Sequence, residues 1–369
     1  MKWIFWLSFA LLVYAYFGYA ILLWLQVRLR RRPTQKSPMT PTVSIIIAAR
    51  NEEANLPTKL DNLRKLDYPQ DRLQIVIVSD GSNDRTVEIL HEHTAMICPV
   101  ILESSCGKAC ALNAGVQRAT GEILVFLDAR QRVDRDAIRE LVSCFTDVTV
   151  GAVSGELLLE SNTSESAPEA VGIYWKIEKA VRKLESDSGS VVGVTGAIYA
   201  IRHELYTEIP CGTILDDVFI PMQVARAGFR VIFQPSAIAH DKVFSENDKE
   251  FYRKVRTLTG NYQLLRLAPW LLTSANPLLF RLMSHKLLRL TAPLLLLLIL
   301  LASALSSELF YRCFFWVQII LYGLAIIGWL RPFTRRYKLI AIAHFFVLLN
   351  VTVVLAFYNF VAGRSRVWV

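Results

Sequence analysis

The chain has no Gly-x-Gly-x-x-Gly after an apolar strand and no Gly-x4-Gly-Lys-Ser/Thr. The first absence counts against a dinucleotide-dependent dehydrogenase, the second against a P-loop enzyme. No Cys-x-x-Cys pair occurs among Cys98, Cys106, Cys110, Cys144, Cys211 and Cys313. Five of these lie in a stretch that the charge pattern assigns to the cytosol, where thiols stay reduced, so no disulfide is expected and they read as small buried residues. No basic stretch is interleaved with aromatic residues in a recognisable module, so the net charge of +9 does not point to nucleic acid. His91-Glu92-His93 falls late in a surface helix and is read as no metal site. Charge is missing altogether from Trp3 to Leu25, and no small-residue cleavage site follows. That stretch has the length of a membrane span, not of a signal-peptide core.

What is present is apolar surface, concentrated at the two ends. Hydrophobic residues make up 53% of 369, and the mean hydropathy is +0.35. Three further apolar stretches are expected to span, Leu287–Leu305, Cys313–Leu330 and Leu339–Val361. Arg28, Arg30, Arg31, Arg32 and Lys36 follow the first span, and Arg331, Arg335, Arg336 and Lys338 separate the last two. Positive loops prefer the cytoplasm, and one plus three spans places both clusters there together with the middle of the chain. Arg364 and Arg366 then fall outside, against the rule, and Arg289 needs a headgroup or bundle-interior position. The expected organisation is a membrane helix over 1–27, a basic linker over 28–41, a cytoplasmic α/β domain over 42–245, interfacial amphipathic helices over 246–286, and a membrane region over 287–369.

In the middle, strands alternate with helices, which predicts a mostly parallel sheet with helices on both faces. Val43–Ala49 and Gln74–Val78 read as buried strands, as does Ile123–Leu127. They run into Arg50-Asn51-Glu52, Asp80 and Asp128. Strand carboxyl ends of an open α/β sheet share one edge, where ligands bind. Each residue taken singly could be a cap or the start of a turn. A nucleotide site accounts for all three together: Asp80 accepting from ribose or base, Asp128 holding a divalent metal, and Lys108 after Gly107 offering charge and backbone amides to phosphate.

The ordered motifs resemble glycosyltransferase family 2. They are Val43-Ser-Ile-Ile-Ile-Ala-Ala-Arg-Asn-Glu-Glu53, Val78-Ser-Asp-Gly-Ser-Asn-Asp-Arg-Thr86, Gly107-Lys-Ala-Cys-Ala-Leu-Asn-Ala-Gly115, Gly121-Glu-Ile-Leu-Val-Phe-Leu-Asp128, Val192-Gly-Val-Thr-Gly-Ala-Ile-Tyr-Ala-Ile-Arg202 and Leu215-Asp-Asp-Val-Phe-Ile-Pro-Met222. The resemblance covers about 41–265, and the flanking spans are similar to those of membrane-embedded cellulose, chitin, hyaluronan and poly-N-acetylglucosamine synthases. It implies a GT-A fold and an inverting enzyme. The donor would be a nucleotide-sugar, UDP-linked, held by Ala49, Arg50, Asn51, Glu52, Asp80, Gly107, Lys108 and Asp128. Asp128 would hold Mg²⁺ or Mn²⁺, with His240 as a second possible ligand. Asp217 matches the aspartate that deprotonates the acceptor, with Thr195, Gly196, Asp216, Arg253 and Arg256 on the acceptor side. The implied setting is the plasma membrane of a bacterium, with a homo-oligomer or a secretion partner to carry polymer across.

The sequence departs from the family pattern at three places. The Asp-x-Asp metal motif reads Asp128-Ala129-Arg130, and the Thr-Glu-Asp site reads Leu215-Asp216-Asp217. The Gln-x-x-Arg-Trp motif of polymer synthases is reduced to Arg253-Lys-Val-Arg256-Thr257. Arg130 either ends metal binding at this position, helps to neutralise phosphate, or points away. Three readings follow: transfer to a growing polysaccharide or membrane-associated acceptor, transfer of a single sugar to a lipid, and a catalytically weak nucleotide-binding or scaffold protein. Asp216-Asp217 also has a plain alternative, capping a helix over Val218–Ala227. Trp175, in a helix expected over Tyr174–Glu185, reads first as a core or interface tryptophan, with stacking on sugar as the alternative.

Overall fold

The computed structural model describes residues 1–160, 169–242 and 247–364, with side chains for 1–160, 176–241 and 251–364. Eight strands form one sheet: β1 Val43–Ala49, β2 Leu73–Asp80, β3 Cys98–Leu102, β4 Ile123–Asp128, β5 Arg132–Val133, β6 Val150–Glu160, β7 Ile198–Arg202 and β8 Arg230–Lys242. Their order is β3-β2-β1-β4-β7-β6-β8-β5. β1 is buried along its whole length, as a continuous apolar run must be when both sheet faces are covered.

From β3 to β4 the sheet is parallel, as the alternation predicts. Beyond β4 it is mixed. β7 runs antiparallel to both β4 and β6, β8 is parallel to β6, and β5 closes antiparallel on β8. The mostly parallel expectation therefore holds for one half only. The connection from β6 to β7 carries a helix, Glu169–Ser188, and still returns antiparallel, because parallel strands need a crossover but a helix between two strands does not by itself make them parallel.

Among the described residues, twelve helices flank the sheet or continue into the apolar ends. They are α1 Lys2–Leu29, α2 Leu56–Arg64, α3 Thr86–Glu92, α4 Lys108–Val116, α5 Ala137–Ser143, α6 Glu169–Ser188, α7 Asp216–Arg226, α8 Asn247–Leu267, α9 Leu279–Leu290, α10 Ala292–Ala304, α11 Leu309–Leu330 and α12 Lys338–Val361. Side chains on a strand alternate between faces, so each strand feeds two cores. Ile45, Ile47, Ile77, Val125 and Leu127 pack with Leu56, Leu60 and Leu63 of α2 and Leu141 of α5. Ile46, Val76, Val78, Leu124 and Phe126 pack with Leu112 of α4 and Val218 and Met222 of α7.

Among the described residues, three helices are long and apolar enough to cross a membrane: α1, α11 and α12. The span expected over Leu287–Leu305 is broken. α9 and α10 meet at 58° around Thr291, and only as a pair do they make a fourth candidate. The break has two causes. Pro293 starts a new helix at α10. The polar side of α9 is held by α6, where Glu178 accepts from Arg289 (3.0 Å) and contacts His285 Nε2 (3.1 Å). Glu185 meets His285 Nδ1 (2.9 Å) and accepts from the Tyr19 hydroxyl (2.6 Å), which ties α1 into the same cluster. This polar seam fixes the α/β domain against the apolar helices.

Candidate active site

The three strand ends meet as the parallel register requires. Ala49 lies beside Ser79, and Ala48 beside Asp128. Past β1 the chain turns sharply at Asn51, whose φ of 54° is left-handed. The Asn51 side chain makes that turn tolerable, since its Oδ1 accepts from the Asn83 N–H at 2.8 Å. The Asn51 N–H donates to Ser82 Oγ (3.2 Å) and the Glu52 N–H to Thr86 Oγ1 (2.8 Å). These bonds stitch the β1 loop to the β2 loop. Burial raises the Glu52 carboxyl, although the Asn55 amide and the Arg130 charge oppose it. Arg50 Nε is buried and, among the described residues, makes no hydrogen bond, leaving a donor at the site edge.

Asp80 ends β2 fully buried. Its oxygens accept from Cys106 N–H (2.8 Å), Ser105 Oγ (2.8 Å) and Gly107 N–H (2.9 Å). Burial alone would raise its pKa, but these donors outweigh it and hold the carboxyl below the ordinary value. Asp80 thus shapes the 105–107 loop that opens α4. Two glycines make this possible. A side chain on Gly81 would stand 2.3 Å from the Ser105 nitrogen, and Gly107 has φ 95°. Lys108 follows on the first turn of α4. Its Nζ lies 2.9 Å from Asp128 Oδ1 and 3.5 Å from Asp216 Oδ2. Burial works against its charge, yet Asp128 and Asp216 prevail and hold the ammonium firmly protonated.

Asp216 and Asp217 form the first turn of α7, and neither caps it: the N-cap is Leu215, with no side-chain hydrogen bond. Asp216 is buried. Burial first, then the Asp216 charge, push the Asp217 carboxyl up to about 6, while Lys286, Lys108 and Arg182 pull the other way. A methyl on Gly196 would lie 3.5 Å from Asp217 Oδ2, so the missing side chain leaves open space in front of that carboxylate. Thr195 is fixed by Ser154 Oγ, which accepts its N–H (2.9 Å), and by Arg182, which donates to Thr195 Oγ1 (2.5 Å).

Arg130 does not face Asp128 as a substitute ligand. Its guanidinium forks onto the buried Asp241 of β8 through Nε (3.1 Å) and Nη2. Arg253 on α8 lies in the same electrostatic cluster. Burial and the Arg130 charge lower its pKa, while Asp241 and Asp128 oppose them. Arg256 follows one turn on and adds to the repulsion. His240 turns both ring nitrogens to carboxylates, Nε2 to Asp134 (2.8 Å) and Nδ1 to Glu160 (3.0 Å). The Trp175 side chain lies outside the described residues.

Sequence reasoning missed three cations and one bond. Lys59 is buried under the site and donates to the Gln131 carbonyl (2.8 Å), propping the turn after Asp128; burial lowers it to about 7. Its place beside Leu56, Leu60 and Leu63 on one helix face was the available signal. Arg182 and Lys286 carried none, because they reach Asp217 from α6 and α9. The expectation of no disulfide is corrected: Cys110 of α4 and Cys211 are bonded, with Cα atoms 5.3 Å apart and 101 residues between them. Only the tertiary fold lays the loop before α7 on α4.

The donor set suits an ion that arrives with its substrate. Asp128 offers one carboxylate at a partly open strand end. No group of three His, Cys, Asp or Glu converges among the described residues. Mg²⁺ commonly takes one or two carboxylates, with phosphate oxygens and water completing the shell.

Residues 44–209 match the family model described as Glycosyl transferase family 2. They form a glycosyltransferase family 2 domain. The poly-beta-1,6-N-acetyl-D-glucosamine synthase of Staphylococcus aureus (strain COL) is 24% identical over 260 residues, covering 69% of this chain and 61% of that protein. The probable glycosyltransferase YdaM of Bacillus subtilis (strain 168) is 27% identical over 237 residues, covering 60% and 55%. The chain thus spans about three-fifths of the length of these relatives. The mannosyltransferase PcManGT from Pyrobaculum calidifontis, solved with GDP-Man and Mn2+, superposes with a TM-score of 0.74 at 24% identity over 97% of this chain and 99% of that one. That likeness shows a shared GT-A fold, extending past the family 2 domain into the apolar helices.

Proposed function

We propose that the protein is a membrane-bound inverting glycosyltransferase. It moves a sugar from a nucleotide-sugar, UDP-linked, to a growing polysaccharide or another membrane-associated acceptor at the cytoplasmic face. The observation that carries this reading is the convergence of Asp80, Lys108 and Asp128 on one sheet edge with Asp217, whose buried carboxyl sits near 6. The basic loops and the apolar helices support the cytoplasmic side.

In this reading the nucleotide lies over the strand ends, against Ala49, Arg50, Asn51 and Glu52 and the loop that Asp80 shapes. Lys108, Arg253 and Arg256 supply positive charge where the diphosphate departs, and fixed charges of this kind make the larger contribution to such reactions. A divalent ion, Mg²⁺ or Mn²⁺, bound between Asp128 and the diphosphate would add charge neutralisation. Asp217 takes the proton from the acceptor hydroxyl as its oxygen bonds to the anomeric carbon. The bond to the diphosphate breaks with its electron pair, and the nucleoside diphosphate leaves. General base catalysis of this type contributes roughly 10²–10⁴-fold. The Gly196 opening gives the acceptor its approach. The test is the full chain in lipid, offered labelled nucleotide-sugars with Mg²⁺, Mn²⁺ or EDTA, with products sized and partitioned. Turnover that requires a divalent ion and is lost in Asp217→Asn is expected; nucleotide binding without turnover of any donor would sink the reading.

A further inference from the structure

Lys286, like Arg182, is a cation beside Asp217 that the proposed reaction leaves unused. It projects from α9, with its Cε near Gly193, where an added methyl would lie 3.7 Å from it and 3.4 Å from the Asp217 carbonyl. Among the described residues it makes no hydrogen bond and no ion pair. Its nearest carboxylates on α6 are already engaged. Glu178 is held by His285 and Arg289, with Arg182 Nε at 3.9 Å, and Glu185 by His285 and Tyr19. Arg182 stands beside it, donating to Thr195. Asp217 is therefore the negative charge that answers Lys286. Once Asp217 accepts a proton, two cations face the acceptor with nothing opposite.

From these cations a chain of packed contacts leads to an apolar groove. Arg289 follows Lys286 by one turn, and residues 288–290 pack on Tyr14–Gly18 of α1. Tyr16 there lies 6.2 Å from the Phe346 ring. Phe346 lines a groove of about 270 Å³ between α10, α11 and α12, with Pro293, Leu296, Tyr322, Val351 and Leu355. The charged end and the apolar groove are thus joined through α9 and α1.

We propose that the acceptor is an anionic amphiphile: Lys286 and Arg182 hold its phosphate, a hydroxyl of the same headgroup meets Asp217, and its acyl chain lies in the groove. This rests on Asp217 being the base. The hydroxyl oxygen bonds to the anomeric carbon, its proton passes to Asp217, and the nucleoside diphosphate leaves with the electron pair of the broken bond. The phosphate on the acceptor is unchanged and restores the charge balance that protonation of Asp217 removes.

The test uses the full chain in phosphatidylcholine nanodiscs and three probes. Dioctanoylphosphatidylglycerol has chains, phosphate and hydroxyl; dioctanoylglycerol lacks the phosphate; glycerol phosphate lacks the chains. Equilibrium binding and sugar transfer are both measured. Dioctanoylphosphatidylglycerol should bind saturably and at least about tenfold more tightly than either other probe, as expected for a charge-assisted contact. Lys286→Gln should weaken it about tenfold, with Lys286→Arg restoring most of the loss; melting temperatures check that both variants fold. Equal binding of dioctanoylglycerol overturns the phosphate contact. Equal binding of glycerol phosphate overturns the membrane source. Tight binding of dioctanoylphosphatidylglycerol with no nucleotide release from any donor would instead sink the glycosyltransferase reading.

Discussion

At the scale of the residue, Asp217 sits among neighbours of opposite effect. Burial and Asp216 raise its pKa to about 6; Lys286, Lys108 and Arg182 keep it from rising further. A general base must be unprotonated, so kcat/KM is expected to fall about tenfold per pH unit below about 6 and to level off above it. A pH–rate profile in lipid with saturating divalent ion checks this; a flat profile from pH 5 to 8 would remove Asp217 as the base. The same shift affects stability. A carboxyl whose folded pKa lies above its unfolded value favours folding below about 4, and that contribution is lost as pH rises through about 6. Asp217→Asn removes the charge, so it should stabilise the protein by roughly 1–2 kcal/mol at pH 8 after allowance for screening and by little at pH 4. Melting curves of both proteins at the two pH values decide it. Asp217 was legible in the sequence because it follows Leu215-Asp216 in a family pattern. Its cationic neighbours were not, since Arg182 and Lys286 lie far from it along the chain.

At the scale of the element, the turn from β4 to β5 is held from two sides. Lys59 of α2 binds the Gln131 carbonyl, and Arg130 and Gln131 both reach Asp241 of β8. Asp241 is only 5% exposed on its side chain, so removing Arg130 leaves a buried carboxylate without the guanidinium that neutralises it. Arg130→Ala is expected to cost about 2–4 kcal/mol. Adding Asp241→Ala should recover about 1–3 kcal/mol of that sum, because the two act as one unit. A thermodynamic cycle by denaturant or thermal unfolding measures the coupling; additive losses would mean that Arg130 is held by other contacts. The cycle also answers the question that Asp128-Ala129-Arg130 raises in the sequence. The strand and its terminal aspartate were readable from an apolar run ending in a charge. The direction of Arg130 was not, because its partner lies on β8, three strands from β4 in the sheet and 111 residues along the chain.

At the scale of the whole molecule, the basic loops and the Cys110–Cys211 bond make opposing statements about compartment. Cytoplasmic thiols are kept reduced, whereas disulfides persist in oxidising spaces. If the family 2 domain faces the cytoplasm, cells lysed into N-ethylmaleimide and then denatured should yield both cysteines alkylated by mass spectrometry. Recovery of the bonded peptide pair from freshly trapped cells would place the domain on the oxidising side. The pair joins α4, which carries Lys108, to the loop that leads into Asp216.

Local pattern alone determined the first half of the sheet, the strand-end acids and the apolar helices α1, α11 and α12. Continuous apolar runs have few ways to be buried, and in the first half of the sheet each strand-helix-strand unit returns parallel. Tertiary structure decided the rest: β7 entering antiparallel, the bend between α9 and α10, the disulfide, and the cations around Asp217. Each of these depends on a partner distant in sequence, and the energy of such a contact belongs to the pair and leaves no trace in either stretch read singly.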